Sequence, residues 1–559
     1  MKLFLAQQNY HIGNFEANTE KIITAIREAR QQGGDLIIFS ELAVCGYPPR
    51  DLLEFDDFIE ACEQAIDRIR KEARGIAVLV GAPSRNPVPE GKDLFNSAYF
   101  LQDQKIQQIV HKTLLPNYDV FDEYRYFEPG YEWKPILFMG KKLAVTICED
   151  IWDLTENPLY RQCPMEKLIA SAPDLMINLS ASPFDYTHAE DRLAMVKRNV
   201  LRYKIPMLYC NTVGSQTEIV FDGGSLVYDA SGNLIRQMPF FEEGILALNW
   251  DGQSFDLPVQ QDAASLPDTE LNPLVFQPEL HIERVHDALV MGIRQYFEKM
   301  GFQKAVVASS GGIDSAVTLA LACRALGADR VHAVLMPSSF STHHSVSDAE
   351  QLSRNLNNRY DIIPIKDIFS SFETSLQPLF GDMAFDVAEE NLQSRIRGVL
   401  AMALANKFHY ILLNTSNKSE LATGYGTLYG DMAGGIGVLG DLYKMQVYAL
   451  ARYINRDKEY IPEHIISKPP SAELRPGQKD SDSLPPYDLL DAILYQYIEL
   501  RKSPKDMIRQ GYDADLVMRI IGMVNRNEYK RNQFCPIIRI SPKAFGIGRR
   551  IPIVARYFG

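Results

Sequence analysis

The sequence predicts an α/β protein built as two successive units, and three observations lead there. The chain has 559 residues, more than one hydrophobic core can serve. Short apolar runs alternate with helical periodicity along both halves, the mark of layered α/β structure. Between the halves, residues 251–278 lose that pattern and carry Pro258, Pro267, Pro273 and Pro278. The expected organisation is a first domain over 1–250, a linker over 251–278 and a second domain over 279–559.

The elements follow in order. In the first half, strands are expected at 3–6, 36–39, 77–80, around 106–110, and at 143–147, 175–179 and 207–210. Helices are expected at 19–31, 58–73 and 188–203. The second half opens with an amphipathic helix over 279–300. A strand at 305–308, a helix at 316–326 and strands at 331–336 and 410–413 continue it. The stretch 439–477 ends in the proline-rich loop Lys468-Pro469-Pro470-Ser471, and a basic helical tail is expected at 526–531.

Bulk properties narrow the function. Hydrophobic residues at 46% and charged residues at 23% describe an ordinary globular composition. The net charge of −13 argues against broad nucleic-acid binding, so no nucleic-acid partner is expected. Cysteines 45, 62, 148, 163, 210, 323 and 535 stand singly, which suits neither a disulfide framework nor a zinc site. A reducing, cytoplasmic setting is the expectation. The start Met1-Lys2-Leu3-Phe4-Leu5-Ala6-Gln7-Gln8 turns polar too soon for a signal peptide. No run of about 18 apolar residues suggests a membrane span.

Chemistry shows first in the second half. The apolar run Ala305-Val306-Val307-Ala308 leads into Ser309-Ser310-Gly311-Gly312-Ile313-Asp314-Ser315 and then a helical pattern. Glycines let backbone N–H groups approach an anion, and the helix start adds its positive end, so Ala308 to Ser315 read as a phosphate cradle. No Gly-Lys-Ser/Thr follows, so this is not the Walker loop. The pattern SGGxDS resembles the loop of the ATP-pyrophosphatases, which split ATP to AMP and pyrophosphate and adenylate an oxygen of their substrate. Such chemistry needs Mg²⁺ on hard oxygen ligands, and Asp314 is the natural first one. Glu420, in Asn414-Thr415-Ser416-Asn417-Lys418-Ser419-Glu420 after the strand at 410–413, could be the second. Taken alone it reads better as a helix-start carboxylate favoured by the dipole.

The first half carries three motifs at strand ends. These are Phe39-Ser40-Glu41-Leu42, His111-Lys112-Thr113-Leu114-Leu115-Pro116 and Thr146-Ile147-Cys148-Glu149-Asp150. A carboxylate, an ammonium and a thiol can meet at one edge of a sheet. Glu41 would take the proton of Cys148, whose thiolate attacks an amide carbonyl. Lys112 would stabilise the oxyanion, and Glu41 would activate water for thioester hydrolysis. The three contexts resemble the nitrilase (carbon–nitrogen hydrolase) superfamily over about 1–250, with Glu149 after the cysteine as in that family.

A nitrilase-type amidase followed by an SGGxDS unit resembles the glutamine-dependent NAD synthetases. The resemblance implies a nitrilase-like α-β-β-α sandwich followed by a Rossmann-like parallel-sheet ATP-pyrophosphatase domain. It implies amidation of deamido-NAD⁺ with ATP, Mg²⁺ and ammonia from glutamine, and a homo-oligomer. Ammonia must travel unprotonated, so a sheltered route is expected. Tyr118 and Ser182 would hold glutamine; where the family has Lys or Arg six residues after that serine, this chain has His188, with Arg192 a turn later. By the same resemblance Thr415, Lys444 and Ser471 contact ATP, and Asn391, Arg395, Glu420 and Lys530 contact deamido-NAD⁺. Residues 336–338 and His343-His344-Ser345 resemble the loop over ATP. Two rivals stand beside this reading: another ATP-dependent amidating or thiolating enzyme, and a nitrilase-fold interaction module joined to a nucleotide-binding scaffold.

Overall fold

In the first strand, Lys2–Gln7, successive side chains belong to different interiors. Leu3 and Leu5 join Leu36, Ile38, Leu79 and Phe100 in one buried cluster with Leu143, Val145, Ile177 and Leu208. Phe4 and Ala6 join Ile37, Val78 and Val80 in another, closed by Ile22 and Ile26 of helix Phe15–Gln31 and Ile66 and Ile69 of helix Asp56–Glu72. Period-two alternation thus assigns one face of the sheet to a second sheet and the other to helices. This is a computed structural model, and it describes residues 1–154, 159–260 and 275–557.

The chain forms two units, Met1–Glu270 and Leu271–Gly559. In the first, one six-stranded sheet runs Gly244–Asn249, Lys2–Gln7, Leu36–Ile38, Ala77–Arg85, Leu94–Gln102, Lys105–His111. The other runs Leu234–Gln237, Leu226–Tyr228, Met207–Asn211, Leu175–Ser180, Lys141–Ile147, Ile136–Phe138. Helix His188–Tyr203 covers the outer face of the second sheet, where Val196 and Val200 meet Ala144, Met176 and Met207. The expected α-β-β-α sandwich is the architecture found. The sequence reading passed over several strands. Leu94–Gln102, with Asn96 and Ser97 inside it, and the short strands after residue 212 lack a clean apolar alternation.

In the second unit five parallel strands lie in the order Arg359–Ile362, Val331–Leu335, Lys304–Ala308, Tyr410–Asn414, Ile436–Gly437. From Lys304–Ala308 the chain first builds one side of the sheet and later returns to the other. The carboxyl ends of Lys304–Ala308 and Tyr410–Asn414 therefore flank the point where strand order reverses, the usual binding crevice of an open α/β sheet. Helix Ile313–Leu326 packs on the sheet. It begins three residues before the expected start at 316, because Gly312 is already its cap; Asp314 and Ser315 sit in its first turn. The segment at 343–345, read as loop, opens helix His343–Leu356, with the Thr342 side chain accepting from Ser345 N. The tail expected at 526–531 is the end of helix Ala514–Arg526 and a separate turn, Glu528–Arg531.

Of the expected linker, 261–274 lie outside the described residues. Before them, Gln260 N donates to Leu234 O at 3.0 Å within the first unit. After them, Phe276 packs its ring 5.2 Å from that of Tyr443 in the second. Among the described residues no helix is long and apolar enough to cross a membrane.

Candidate active sites

In the first unit the three strand-end motifs converge on one buried ammonium. Lys112 Nζ donates to Glu41 Oε1 at 2.7 Å and to Glu123 Oε1 at 2.9 Å, with both Lys112 and Glu41 side chains 0% exposed. Asn96 Nδ2 donates to Glu41 Oε1 at 2.7 Å, and Ala181 N donates to Glu41 Oε2 at 2.9 Å. Glu41 reaches this place because its loop lies directly on strand Ala77–Arg85. A Cβ on Gly81 would come within 2.4 Å of Leu42 N. Tyr47 OH donates to Glu123 at 2.8 Å. Glu123 was not anticipated from sequence; it sits on the short turn Glu123–Arg125, 11 residues after Lys112, inside no motif.

Cys148 follows strand Lys141–Ile147 with φ of +41°, left-handed geometry that a non-glycine residue adopts only when its surroundings impose it. Asp150 imposes it. Its Oδ1 accepts from Thr113 N and Leu114 N at 3.0 and 2.8 Å, and its Oδ2 from Ile147 N at 3.0 Å. One buried carboxylate thereby ties the end of the Lys112 strand to the end of the Cys148 strand. Burial pushes the Asp150 carboxyl up to about 6, against those three N–H groups. Burial also raises the Cys148 thiol well above its ordinary range, with the Glu41 charge reinforcing and Lys112 opposing. The thiol therefore needs a base at the moment of attack. Burial alone would lower the Lys112 ammonium, but Glu123 and Glu41 outweigh it and hold it charged.

In the second unit Ser309 N donates to Val334 O at 3.0 Å, and Gly312 N to Ser310 Oγ at 3.2 Å. Gly311 has φ of +78°, and a Cβ there would stand 2.1 Å from the Ser345 carbonyl oxygen. Only glycine fits. Asp314 Oδ2 accepts from Lys444 Nζ at 2.5 Å and its Oδ1 from Asn417 Nδ2 at 2.8 Å. Glu420 Oε1 lies 3.4 Å from the same ammonium, and Asn417 caps the helix that carries Glu420. Burial raises the Glu420 carboxyl to about 8, with the Asp314 charge adding and Lys444 opposing. Two carboxylates thus face one place where positive charge is wanted, which fits a hard divalent cation. Among the described residues no group of three His, Cys, Asp or Glu is arranged to hold a metal. A metal here would take its remaining oxygens from phosphate and water, as Mg²⁺ ordinarily does.

Beneath these charges lies a second, sealed network. Lys418 Nζ, 0% exposed, contacts Glu499 Oε1 at 2.8 Å, Ser541 Oγ at 2.7 Å and Asp441 Oδ1 at 2.9 Å. Asp441 also accepts from Ile540 N and Ser541 N at 2.8 and 2.7 Å. Ser419 Oγ donates to Asp491 at 2.5 Å and accepts from Lys444 N at 2.9 Å, while Met445 N donates to Asp491 at 2.8 Å. The helix starts that carry Glu420 and Lys444 are fastened together.

Comparison with known proteins agrees with both halves. Residues 3–254 match the carbon–nitrogen hydrolase family and residues 285–534 the NAD synthase family. The glutamine-dependent NAD(+) synthetase of Synechocystis sp. is 42% identical over 560 residues, 99% of this chain and 98% of that protein. The chain belongs to the glutamine-dependent NAD(+) synthetases. The Thermotoga maritima synthetase is 40% identical over 580 residues, with 100% and 99% covered. A solved synthetase from Acinetobacter baumannii, in complex with ADP, is 38% identical with a TM-score of 0.76, covering 99% of this chain and 98% of that one. The Cytophaga hutchinsonii synthetase, at 19% identity and TM-score 0.81, covering 100% and 98%, shares the fold.

The other residues expected to touch substrates in a synthetase of this family are placed as follows. Tyr118 OH donates to Glu149 Oε1 at 2.8 Å, and Tyr160 OH donates to the same oxygen at 3.1 Å. Ser182 Oγ and His188 Nε2 are 2.8 Å apart, and the His188 ring stacks on Trp152 at 4.9 Å. Arg192 is not available to a substrate carboxylate. It is buried in a bidentate pair with Asp222, at 2.9 and 2.6 Å. Thr415 follows strand Tyr410–Asn414, half-buried beside the cradle strand. Ser471 is exposed and closes its own loop on Gln478 O at 2.5 Å. Asn391 Oδ1 accepts from Thr427 at 2.7 Å, and Arg395 Nε donates to Leu428 O at 3.2 Å. Lys530 Nζ donates to Gly424 O and Gly426 O, both at 2.8 Å. These last three converge on the segment 424–428.

Proposed function

We propose that the chain converts deamido-NAD⁺ to NAD⁺ with ATP, drawing ammonia from glutamine, and that the residues assembled in each unit carry one half of that work. The glutaminase domain spans 1–250 and is joined through 251–278 to the synthetase domain over 279–559. The observation that supports this division is that each unit has its own built site: Glu41–Lys112–Cys148 in one, Asp314–Lys444–Glu420 in the other.

In the first unit Glu41 takes the Cys148 proton as Sγ attacks the glutamine amide carbon. Lys112 has three N–H donors; Glu41 and Glu123 take two, leaving one for the oxyanion. The tetrahedral intermediate collapses as Glu41 returns the proton to the leaving nitrogen, releasing ammonia and a thioester. Glu41 then deprotonates water, which displaces Sγ to give glutamate and the thiol. Tyr118, Ser182 and His188 orient glutamine.

In the second unit the backbone from Ala308 to Ser315, with Thr415, Lys444 and Ser471, holds ATP. Asn391, Arg395, Glu420 and Lys530 position deamido-NAD⁺ so that its nicotinate carboxylate oxygen attacks the α-phosphorus. Pyrophosphate leaves, and ammonia displaces AMP from the adenylated carbonyl. Asp314 and Glu420 would hold Mg²⁺, whose chemistry is to neutralise the triphosphate. We place the enzyme in the cytoplasm as a homo-oligomer.

Cys148→Ala tests the division. The variant should lose glutamine-driven NAD⁺ formation and keep synthesis from added ammonium. Loss of both activities, or survival of both, would overturn it. AMP and pyrophosphate formation that depends on deamido-NAD⁺, and not on nicotinate mononucleotide, tests the acceptor.

A further inference from the structure

The phosphate cradle is enclosed by a chain of contacts that can be followed residue by residue. Ser309 N bonds Val334 O in strand Val331–Leu335, and just past that strand Met336 O accepts from Arg397 Nε at 2.9 Å. One turn earlier on helix Val387–Phe408, Gln393 Nε2 donates to Leu474 O at 2.8 Å. The preceding residue, Glu473, accepts from Ser345 Oγ at 2.7 Å and Thr342 N at 3.1 Å. The Ser345 carbonyl then closes the circuit against Gly311. Arg397 is on this rim.

Its hydrogen bonding is incomplete. A guanidinium has five N–H donors, and among the described residues Arg397 uses one of them. Among the described residues no carboxylate lies within ion-pair distance; Asp431 and Glu473 act on it only from farther away. Burial pulls its guanidinium below the usual arginine range. A cation half-withdrawn from water with its Nη groups unbonded calls for an anion. The ammonium groups near the cradle already have partners: Asp314, Glu420 and Asp480 surround Lys444, and Lys468 Nζ donates to Ser345 Oγ at 3.1 Å.

We propose that Arg397 binds the phosphate chain, its two Nη groups taking phosphoryl oxygens of ATP and retaining pyrophosphate as it leaves, while Nε stays on Met336 O. Arg395, two residues earlier, turns instead to Leu428 O, so the two arginines serve different ligands. A planar fork suits a diphosphate better than a point charge does. This rests on the reading of residues 308–315 as an ATP site.

The test uses the full-length enzyme with Arg397→Gln and Arg397→Lys. Ammonium-driven synthesis gives KM for ATP and for deamido-NAD⁺ and the inhibition constant of pyrophosphate; calorimetry with Mg²⁺ and inorganic pyrophosphate gives binding directly. Arg397→Gln should weaken pyrophosphate and raise KM for ATP by about tenfold or more. KM for deamido-NAD⁺ and glutamate release should stay as in the wild type, and Arg397→Lys should recover part of the loss. Unchanged pyrophosphate affinity overturns the inference, as does a defect confined to KM for deamido-NAD⁺. If Arg397→Gln folds poorly by circular dichroism, Arg397→Lys alone decides, since the fork is lost with the charge kept. A wild-type enzyme that forms no AMP would defeat the ATP reading itself, a separate result.

Discussion

Glu123→Gln keeps the shape of the side chain and removes one of the two negative charges on Lys112. Glu123 Oε1 accepts from Lys112 Nζ at 2.9 Å and Tyr47 OH at 2.8 Å; Oε2 accepts from Asn96 Nδ2 at 3.3 Å. A glutamine oxygen can keep the first two partners. Its amide nitrogen must then face Asn96 Nδ2, and Asn96 cannot turn away without releasing Glu41, 2.7 Å distant. One charge-assisted hydrogen bond is lost and a donor faces a donor, together about 1.5–3 kcal/mol. If that falls on the transition state, glutamate release slows by about 10- to 150-fold. The assay is glutamate release at saturating glutamine, beside NAD⁺ formed from ammonium chloride, which should not change. Burial raises the Glu123 carboxyl to about 7, with Lys112 opposing and Glu41 reinforcing. The group is therefore charged above that pH and neutral below it. Wild-type glutaminase activity should decline as pH falls through about 7, and the variant should lack that limb. An unchanged rate and profile, or equal loss of both activities, would refute the role given to Glu123.

Asp314→Ala should abolish AMP formation and NAD⁺ synthesis from either nitrogen source while glutamate release continues; AMP from the variant would remove Asp314 from its metal-holding role. Chelation by EDTA should have the same selectivity, reversed by added Mg²⁺. Gly311→Ala places a Cβ 2.1 Å from a carbonyl at φ of +78°, so ATP-dependent activity should vanish, with more than about 1 kcal/mol of stability lost in denaturant titration. Arg192→Ala leaves Asp222 buried without its partner and should destabilise the first unit by about 3–5 kcal/mol, read as a lowered calorimetric Tm.

Residues whose placement follows from a local run were legible from sequence. Cys148, Lys112 and Glu41 each close a strand within a recognisable run, and Gly311 announces the turn it must make. Residues whose role depends on distant partners were not. Glu123 looks like any surface acid until the fold lays Lys112 against it, and Arg192 looks like a helix-face cation until strand Ile219–Asp222 brings Asp222 beneath it. Arg397 had only a motif for context, and its partner Met336 lies 61 positions away. The start of helix Ile313–Leu326 was misplaced for a different reason. Ile313 is buried like the apolar residues after it, but Gly311 and Gly312 before it and Asp314 and Ser315 behind it give its turn the look of a loop.

The sealed contacts of Lys418 bear on where the synthetase ends. The match to the NAD synthase family stops at residue 534, yet Lys418, beside the proposed site, bonds to Ser541, 123 positions later. A fragment cut at 534 would contain every residue proposed here to touch ATP or deamido-NAD⁺. It would still leave Asp441 without two N–H groups and Lys418 without a hydroxyl, in a place water does not reach. The family match therefore stops short of the contacts that complete this fold, and a minimal synthetase has to be cut beyond Ser541.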